Sequence, residues 1–408
     1  MATIARPTVI FDQYSDDYAA HWREIVRQLQ RETPVAWTEA HGGYWIVTKY
    51  DDIVRIESDP PTFSADNDPE GERNGAQGIR IPRNRIRFRL NEADPPEHTA
   101  LRALEAPAVS PKAIQRWSAE TQRLADAHID AFIESGHCNI VEDLAIPVPA
   151  KVTLQILGVP LETWRDYLAG AQNNFLAPDH PDFPHAARLR IVETLSQLME
   201  ERRKVPADDV ITALTHASVN GQPLPKEDAL GMLQSLAYGG FDTTAATICN
   251  CLYYLQDHPE YHTRLIADPK YLAAAVEEML RAFTPFLGGL ARTVMQDTEI
   301  RGQLLRKGER VLMLYNAANL DPDIFPDPDR IDFDRPNARK SLAFGSGNHR
   351  CLGSMLGQRE VQIVVRTVLQ RMPDYRIDKA KAVRFPKAGA VNGWLSMPAT
   401  FTPGARLA

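Results

Sequence analysis

The sequence predicts a mainly α-helical protein with a small β subdomain, built around one long central helix that crosses the domain. Three observations predict it. Helix-starting and helix-stopping signals recur along most of the chain, and strand-like runs are few and short. One segment, from about Lys226 to His258, has no internal proline and is rich in Leu, Ala and Tyr. It reads as a single helix, roughly 45–50 Å long at 1.5 Å per residue. Its apolar residues are not confined to one face, so it is expected to be buried.

The chain has 408 residues, 44% of them hydrophobic and 24% charged, enough apolar surface for a large core and a buried cavity. No repeat, low-complexity tract or long linker divides it, so residues 1–408 read as one domain. With 46 Lys and Arg against 53 Asp and Glu, no basic excess points to nucleic acid. Cys138, Cys249, Cys251 and Cys351 are too few and too scattered for a secreted disulfide framework. Met1 to Gln13 lacks the charged start and apolar run of a signal peptide, and no apolar run is long enough for a membrane anchor. A soluble, cytoplasmic protein is expected.

In chain order, Tyr44-Trp45-Ile46-Val47-Thr48 reads as a short strand after the turn His41-Gly42-Gly43. From Phe63 to Asn91 the composition shifts to Gly, Pro, Asp and Arg, which predicts a long irregular connection of the kind that often carries function. Asp94-Pro95-Pro96-Glu97 predicts a helix start, with Asp94 as cap, Pro95 in the first position and Glu97 completing a capping box. Ser110-Pro111 starts another helix that Gly136 can end, and Gly158-Val159-Pro160 is a stop and restart. Asp268-Pro269 opens a helix that stops before Pro285. Val311-Leu312-Met313-Leu314-Tyr315 is strand-like after the Lys307-Gly308 turn, and a stretch rich in Pro and Asp follows from Asp321 to Pro336. A last helix runs from about Leu352 to Met372.

The strongest chemical signal is Phe344-Gly345-Ser346-Gly347-Asn348-His349-Arg350-Cys351-Leu352-Gly353. A cysteine at a helix N-terminus after a glycine-bent loop is expected to have a lowered pKa, because free N–H groups and the positive dipole end face its sulfur. Gly345 and Gly347 permit the tight turn, and Gly353 lets a flat cofactor lie close to the helix. Phe344 can shield the sulfur, and His349 can donate to a cofactor carboxylate. Alone, Cys351 would read as a buried inert thiol; the surrounding segment argues otherwise. Midway along the long helix, Gly239-Gly240-Phe241-Asp242-Thr243-Thr244 places an acid beside a hydroxyl where paired glycines weaken the helix, a device for relaying protons into a buried site. Without the cysteine loop it would be a polar break in a buried helix. Glu278 and Arg281, at i,i+3, share a helix face and can pair. His98 and Arg102, at i,i+4, also share a face.

The cysteine segment resembles the haem-binding loop of the cytochrome P450 family, Phe-Gly-x-Gly-x-His-x-Cys-x-Gly, with every fixed position present. The resemblance extends over essentially the whole chain and is to the soluble bacterial class that takes electrons from a ferredoxin. It implies the cytochrome P450 fold, with a b-type haem (iron protoporphyrin IX) and O2 as cosubstrate. The haem would be held without covalent attachment, since no Cys-x-x-Cys-His sequence exists. Cys351 would be the axial iron ligand, with Phe344 and Gly353 against the haem and His98, Arg102, Arg292 and His349 at its propionates. Asp242 and Thr243 would be the acid–alcohol pair. Glu278 and Arg281 would form a buried structural network with Arg330, for which neighbouring Arg335 could substitute. The implied activity is hydroxylation of a small hydrophobic substrate by a monomer. Its electrons would come from NAD(P)H through a reductase and a [2Fe–2S] ferredoxin docking near Arg350 and Arg359.

Arg85, Arg87 and Arg89 alternate with Ile86, Phe88 and Leu90. An extended backbone there would give a solvated charged face over a buried apolar one. The family positions then make Ile86, Phe88, Phe175, Tyr238, Gly239, Phe286 and Leu287 candidate pocket walls, implying a terpenoid, alicyclic or aromatic substrate. An arginine of residues 80–89 binding a substrate carboxylate is the less favoured alternative. Three other functions compete. A peroxide-using hydroxylase is disfavoured by the Asp242-Thr243 pair, and a non-catalytic haem sensor stays open. A Cys–His hydrolase on His349 and Cys351 fails because residues two apart project away from each other on a helix.

Overall fold

The computed structural model describes residues 6–66, 78–83, 87–171, 176–387, 389 and 391–407. Its helices are α1 (Asp16–Glu32), α2 (Tyr50–Ser58), α3 (Glu97–Glu105), α4 (Pro111–Asp130), α5 (Pro147–Leu157), α6 (Trp164–Ala171) and α7 (His185–Lys204). They continue as α8 (Val210–Thr215), α9 (Lys226–Gly239), α10 (Asp242–Leu255), α11 (His262–Ala267), α12 (Pro269–Ala282), α13 (Tyr315–Ala318) and α14 (Ser354–Arg371). Local chemistry sets many of the ends. Ser110 Oγ accepts from Ala113 N at the start of α4, and Asp268 accepts from Lys270 N and Tyr271 N (2.9 and 3.2 Å) at the start of α12. Pro111 and Pro269 take the first helical position in each case. Gly158, at φ +92°, closes α5 in the left-handed conformation. Gly136 ends not α4 itself but the tight turn Ile133–Ser135 that follows it.

Two expectations are corrected here. Asp94 does not cap α3: its carboxylate accepts from Ala65 N (3.0 Å) and from Ser64 Oγ, so it ties the irregular segment to the helix instead. Pro96 precedes the first helical residue without a side-chain cap, and Glu97 turns away to pair with Arg89. The long central helix is two helices, α9 and α10, that meet at Gly240–Phe241. Both joining residues keep right-handed helical φ values, so the chain continues in one direction while the hydrogen-bond ladder lapses. Glycine is required at the joint, because a Cβ on Gly240 would lie 2.2 Å from Thr153 Oγ1 of α5.

The main sheet has five strands in the order Val35–Thr38, Tyr44–Val47, Arg310–Met313, Leu290–Val294 and Phe63–Ser64. Arg310–Met313 runs parallel to Tyr44–Val47 and antiparallel to Leu290–Val294, with Val311 between Trp45 and Arg292. Period-two alternation divides its side chains. Ala36, Ile46, Ala291 and Leu312 pack with α1 residues such as Tyr18 and Val26, whereas Trp37, Trp45, Val311 and Met313 pack with Ile53 and Ile56 of α2. The largest core joins α4, α5, α9, α10, α12 and α14. A smaller sheet pairs Pro398–Thr400 with Arg376–Ile377 and His137–Asn139, linking the C-terminal segment to the helical core. Among the described residues no helix is long and apolar enough to cross a membrane.

Glu278 and Arg281 are completely buried on α12 and meet in a bidentate pair, Nη2 to Oε1 at 2.7 Å and Nε to Oε2 at 2.8 Å. The third charged partner is Arg335, whose Nε donates to Glu278 Oε1 at 3.0 Å. Arg330 was expected in that role but contributes only its carbonyl oxygen; its side chain is 71% exposed, beside Asp332. The remaining donors of Arg281 go to the carbonyls of Asn319 and Pro328 (3.0 and 2.8 Å), which pins the proline-rich segment below the cysteine loop. Glu278→Ala should therefore cost about 3–5 kcal/mol by leaving two guanidinium groups without their carboxylate. Arg330→Ala should stay within about 0.5 kcal/mol of the parent. Urea unfolding of the two variants checks the contrast, and equal losses would contradict this assignment.

Candidate functional site

The loop before α14 is bent by Gly345 (φ +66°) and Gly347 (φ +58°) and closed by a hydrogen bond from Cys351 N to Phe344 O at 2.8 Å. Glu57, at the end of α2, is its buried anchor. Its carboxylate accepts from Ser346 N, Ser346 Oγ and Tyr315 Oη, and it lies 3.8 Å from Arg292 Nη2. The approach is tight enough that a Cβ on Gly347 would stand 2.5 Å from Glu57 O. Nothing in the run Arg55-Ile56-Glu57-Ser58 distinguishes Glu57 from an ordinary charge on an amphipathic helix, so sequence reasoning missed it.

Cys351 presents an exposed side chain ahead of α14, unlike Cys138, Cys249 and Cys251, which are buried in the core. Its thiol was expected below the ordinary value and is instead raised. Although the residue keeps an exposed face, desolvation by the loop and helix packed around it is the dominant cause and outweighs the Gly353 N–H and the Arg102 and Arg350 guanidinium groups, all of which favour the thiolate. A Cβ on Gly353 would meet nothing within 4 Å, and the same holds for Gly239. Both glycines thus border open space, with α10 and α14 packed together beside them.

A cluster of donors stands next to this loop. The rings of His98 and His349 are 4.3 Å apart, and Arg292 is 2% exposed on the central sheet. His98 Nε2, His349 Nε2 and Arg292 Nη2 are all buried without a hydrogen-bond partner. Burial, followed by Arg102, holds His98 down to about 4; burial, followed by Arg292, holds His349 well below the usual range. Arg102 shares the helix face of His98. Two guanidinium groups and two neutral imidazoles from α3, the sheet and the cysteine loop therefore converge, with one nitrogen of His98, of His349 and of Arg292 left without a partner. An anionic group of a ligand supplies what they lack.

Asp242 and Thr243 open α10, both half-buried. Thr243 Oγ1 donates across the helix joint to Gly239 O at 3.0 Å, and Thr247 Oγ1 donates to Thr243 O at 2.7 Å. One turn further on, Ala246 packs with Val391, Phe286 and Phe385. Phe88 meets Tyr238 edge-to-face at 6.2 Å. Thus Phe88, Tyr238, Gly239 and Phe286 flank the α9–α10 joint, and Phe385 and Val391 join them without having been foreseen. Leu287 does not: it is buried in the α1 core, and its carbonyl accepts from Tyr18 Oη at 3.0 Å. Ile86, Phe175 and Arg85 lie outside the described residues. Arg87 and Arg89 do not form a solvated face; Arg87 pairs with Asp66, and buried Arg89 pairs with Glu97 and Asp228. Neither ring nitrogen of His349 serves Cys351, since Nε2 has no partner and the ring takes its backbone hydrogen bond at Ala93, which removes the Cys–His hydrolase reading.

Comparison with known proteins points to one family. The family model for cytochrome P450 matches residues 173–374. The chain is 31% identical over 390 residues to a steroid C26-monooxygenase of Mycolicibacterium smegmatis, covering 94% of this chain and 93% of that protein. It is 30% identical over 399 residues to linalool 8-monooxygenase of Pseudomonas putida, covering 93% and 95%. Among solved structures, CYP108D1 of Novosphingobium aromaticivorans superposes with a TM-score of 0.84 at 29% identity, over 98% of this chain and all of that one.

Glu57→Ala should release Tyr315 Oη and the Ser346 amide from their acceptor and leave Arg292 without a counter-charge. A loss of about 2–4 kcal/mol is expected, with faster amide exchange at Ser346. Unchanged exchange there would show that the loop holds its shape without Glu57.

Proposed function

This chain belongs to the cytochrome P450 family and is a monooxygenase of that family, and from that premise we propose that it hydroxylates a small hydrophobic substrate, terpenoid, alicyclic or aromatic, with electrons from NAD(P)H passed through a reductase and a [2Fe–2S] ferredoxin. Family membership implies a haem iron and O2; a non-covalently held b-type haem is part of the proposal. The observation that carries it is the set of buried, unpartnered nitrogens on His98, His349 and Arg292 beside the exposed Cys351.

Cys351 would ligate the haem iron, whose positive charge would favour the thiolate over the thiol. His98, Arg102, Arg292 and His349 hold the propionates, Gly353 leaves room for the macrocycle, and Phe344 keeps water from the sulfur. When bound, the haem would supply activation of O2 for insertion of one oxygen atom into the substrate. The polypeptide supplies protons and positioning. Thr243 Oγ1, its own proton engaged with Gly239 O, accepts a hydrogen bond from a water on its open side. Asp242 carries protons inward to that water by changing rotamer. Phe88, Tyr238 and Phe286, with Phe385 and Val391, hold an apolar substrate over the joint. The ferredoxin docks on the opposite side, where Arg350 and Arg359 are exposed around Met355, itself 60% exposed. Sheets that combine strands from early and late in the chain support residues 1–408 as one domain, and a cytoplasmic, monomeric state is a further part of the proposal.

The relay is tested with a surrogate ferredoxin system. Thr243→Ala should keep consuming NAD(P)H while product per NAD(P)H falls about tenfold or more, the reduced oxygen leaving as hydrogen peroxide. Asp242→Asn should slow turnover about a hundredfold with coupling less affected. Wild-type coupling in Thr243→Ala would remove its hydroxyl from the relay.

A further inference from the structure

A cavity of about 550 Å3 opens on the surface where α4, α5 and α6 meet, and none of its lining residues belongs to the site described above. That size accepts a small organic molecule. Its apolar wall is a strip of α4 at i, i+3 and i+7, Leu124, Ala127 and Ala131, joined by Leu161 ahead of α6. Its polar groups are Lys151 of α5 and Arg165 of α6. Lys151 Nζ donates to His128 Nε2 at 2.9 Å, while His128 Nδ1 donates to Asp143 O at 2.8 Å. The imidazole is therefore neutral and holds the ammonium as an acceptor only. Both cations pack against Trp164, with the Arg165 guanidinium carbon 4.5 Å and Lys151 Nζ 5.9 Å from the ring centroid. Among the described residues no carboxylate pairs with Lys151 or Arg165; the exposed Glu162 lines the cavity and reaches neither. Burial, then Arg165 and Arg123, hold the Lys151 ammonium below its ordinary range, and no acid works in the other direction. The first turn of α6, with its free N–H groups, lines the same cavity.

A neighbouring cavity of about 580 Å3 shows what an answered cation looks like on the same face. It shares Arg123, but there Glu120 takes the guanidinium, with Nε donating to Oε2 at 2.9 Å. Lys151 and Arg165 have an aromatic ring and a neutral imidazole in place of a carboxylate. Two cations so held, beside a strip of apolar side chains, gain from an anion that carries an apolar body. We infer that this cavity binds a small organic anion, its carboxylate or phosphate group held by Lys151 and Arg165 and its apolar body lying along Leu124, Ala127 and Ala131. His128 fixes the ammonium at the rim of that strip. Binding there is independent of the haem and of the pocket over the α9–α10 joint.

The test titrates the haem-loaded protein at pH 7.5 with benzoate, phenyl phosphate and benzyl alcohol, reading calorimetry and the Soret band together. At least one anion should bind about tenfold or more tightly than the alcohol, and it should leave the Soret band unmoved because it sits away from the iron. Whichever anion binds more tightly identifies the group as carboxylate or phosphate. Lys151→Gln keeps a donor to His128 and loses the charge. That variant and Arg165→Gln should each weaken the anion about tenfold, with Lys151→Arg recovering part of the loss. Arg116→Gln, in the neighbouring cavity, should change nothing. Absence of anion binding, equal affinity for the alcohol, or binding that always shifts the Soret band would overturn the inference. So would an affinity unaltered in both Gln variants, or one lost equally in Arg116→Gln.

Discussion

The fold buries polar nitrogen atoms that its own side chains do not pair. His98, Arg102, Arg292 and His349 come from a helix, a sheet strand and a loop, and they converge with three nitrogen atoms left without a partner. Such a cluster costs several kcal/mol unless an anion enters it. The rest of the architecture serves to hold these groups in place regardless. The five-stranded sheet fixes Arg292, the salt-bridged α12 fixes the segment beneath the loop, and Glu57 ties loop, sheet and α13 together through one carboxylate. Glu57 lies near enough to Arg292 to moderate its charge but too far, at 3.8 Å, to satisfy it with a hydrogen bond.

The helix joint is the second constraint. A continuous helix would engage Gly239 O with the backbone, whereas the lapse at Gly240–Phe241 leaves that carbonyl to Thr243 Oγ1. Close packing against Thr153 of α5 leaves room only for glycine at position 240. The acid and alcohol stand at the start of a fresh helix rather than inside an old one.

Much of this was legible because it depends on local chemistry. The glycine-bent loop, the Pro111 and Pro269 helix starts, the Gly158 stop and the Glu278–Arg281 pair follow from spacing and residue type. What was illegible depends on distant partners. Asp94 looks like a cap but finds Ser64 and Ala65. Arg330 and Arg335 are equivalent in sequence, and only the return of the chain over α12 turns one inward. Leu287 differs from Phe286 solely in which side of the backbone meets α1. Glu57 carries no local mark at all, and Arg87 and Arg89 were misplaced because the acids that bury them come from elsewhere in the chain. The paired glycines did signal the weak point in the central helix, although the contact with Thr153 that requires Gly240 is one no nearby residue announces.

Ligation of iron by the Cys351 sulfur is the premise behind every assignment at this site, and the reduced protein under carbon monoxide reports it directly. A strongly red-shifted Soret band is expected, present in Cys249→Ala and Cys251→Ala and abolished in Cys351→Ser. A band at the position of histidine-ligated haem in the parent protein, or a red-shifted band that persists in Cys351→Ser, would contradict it.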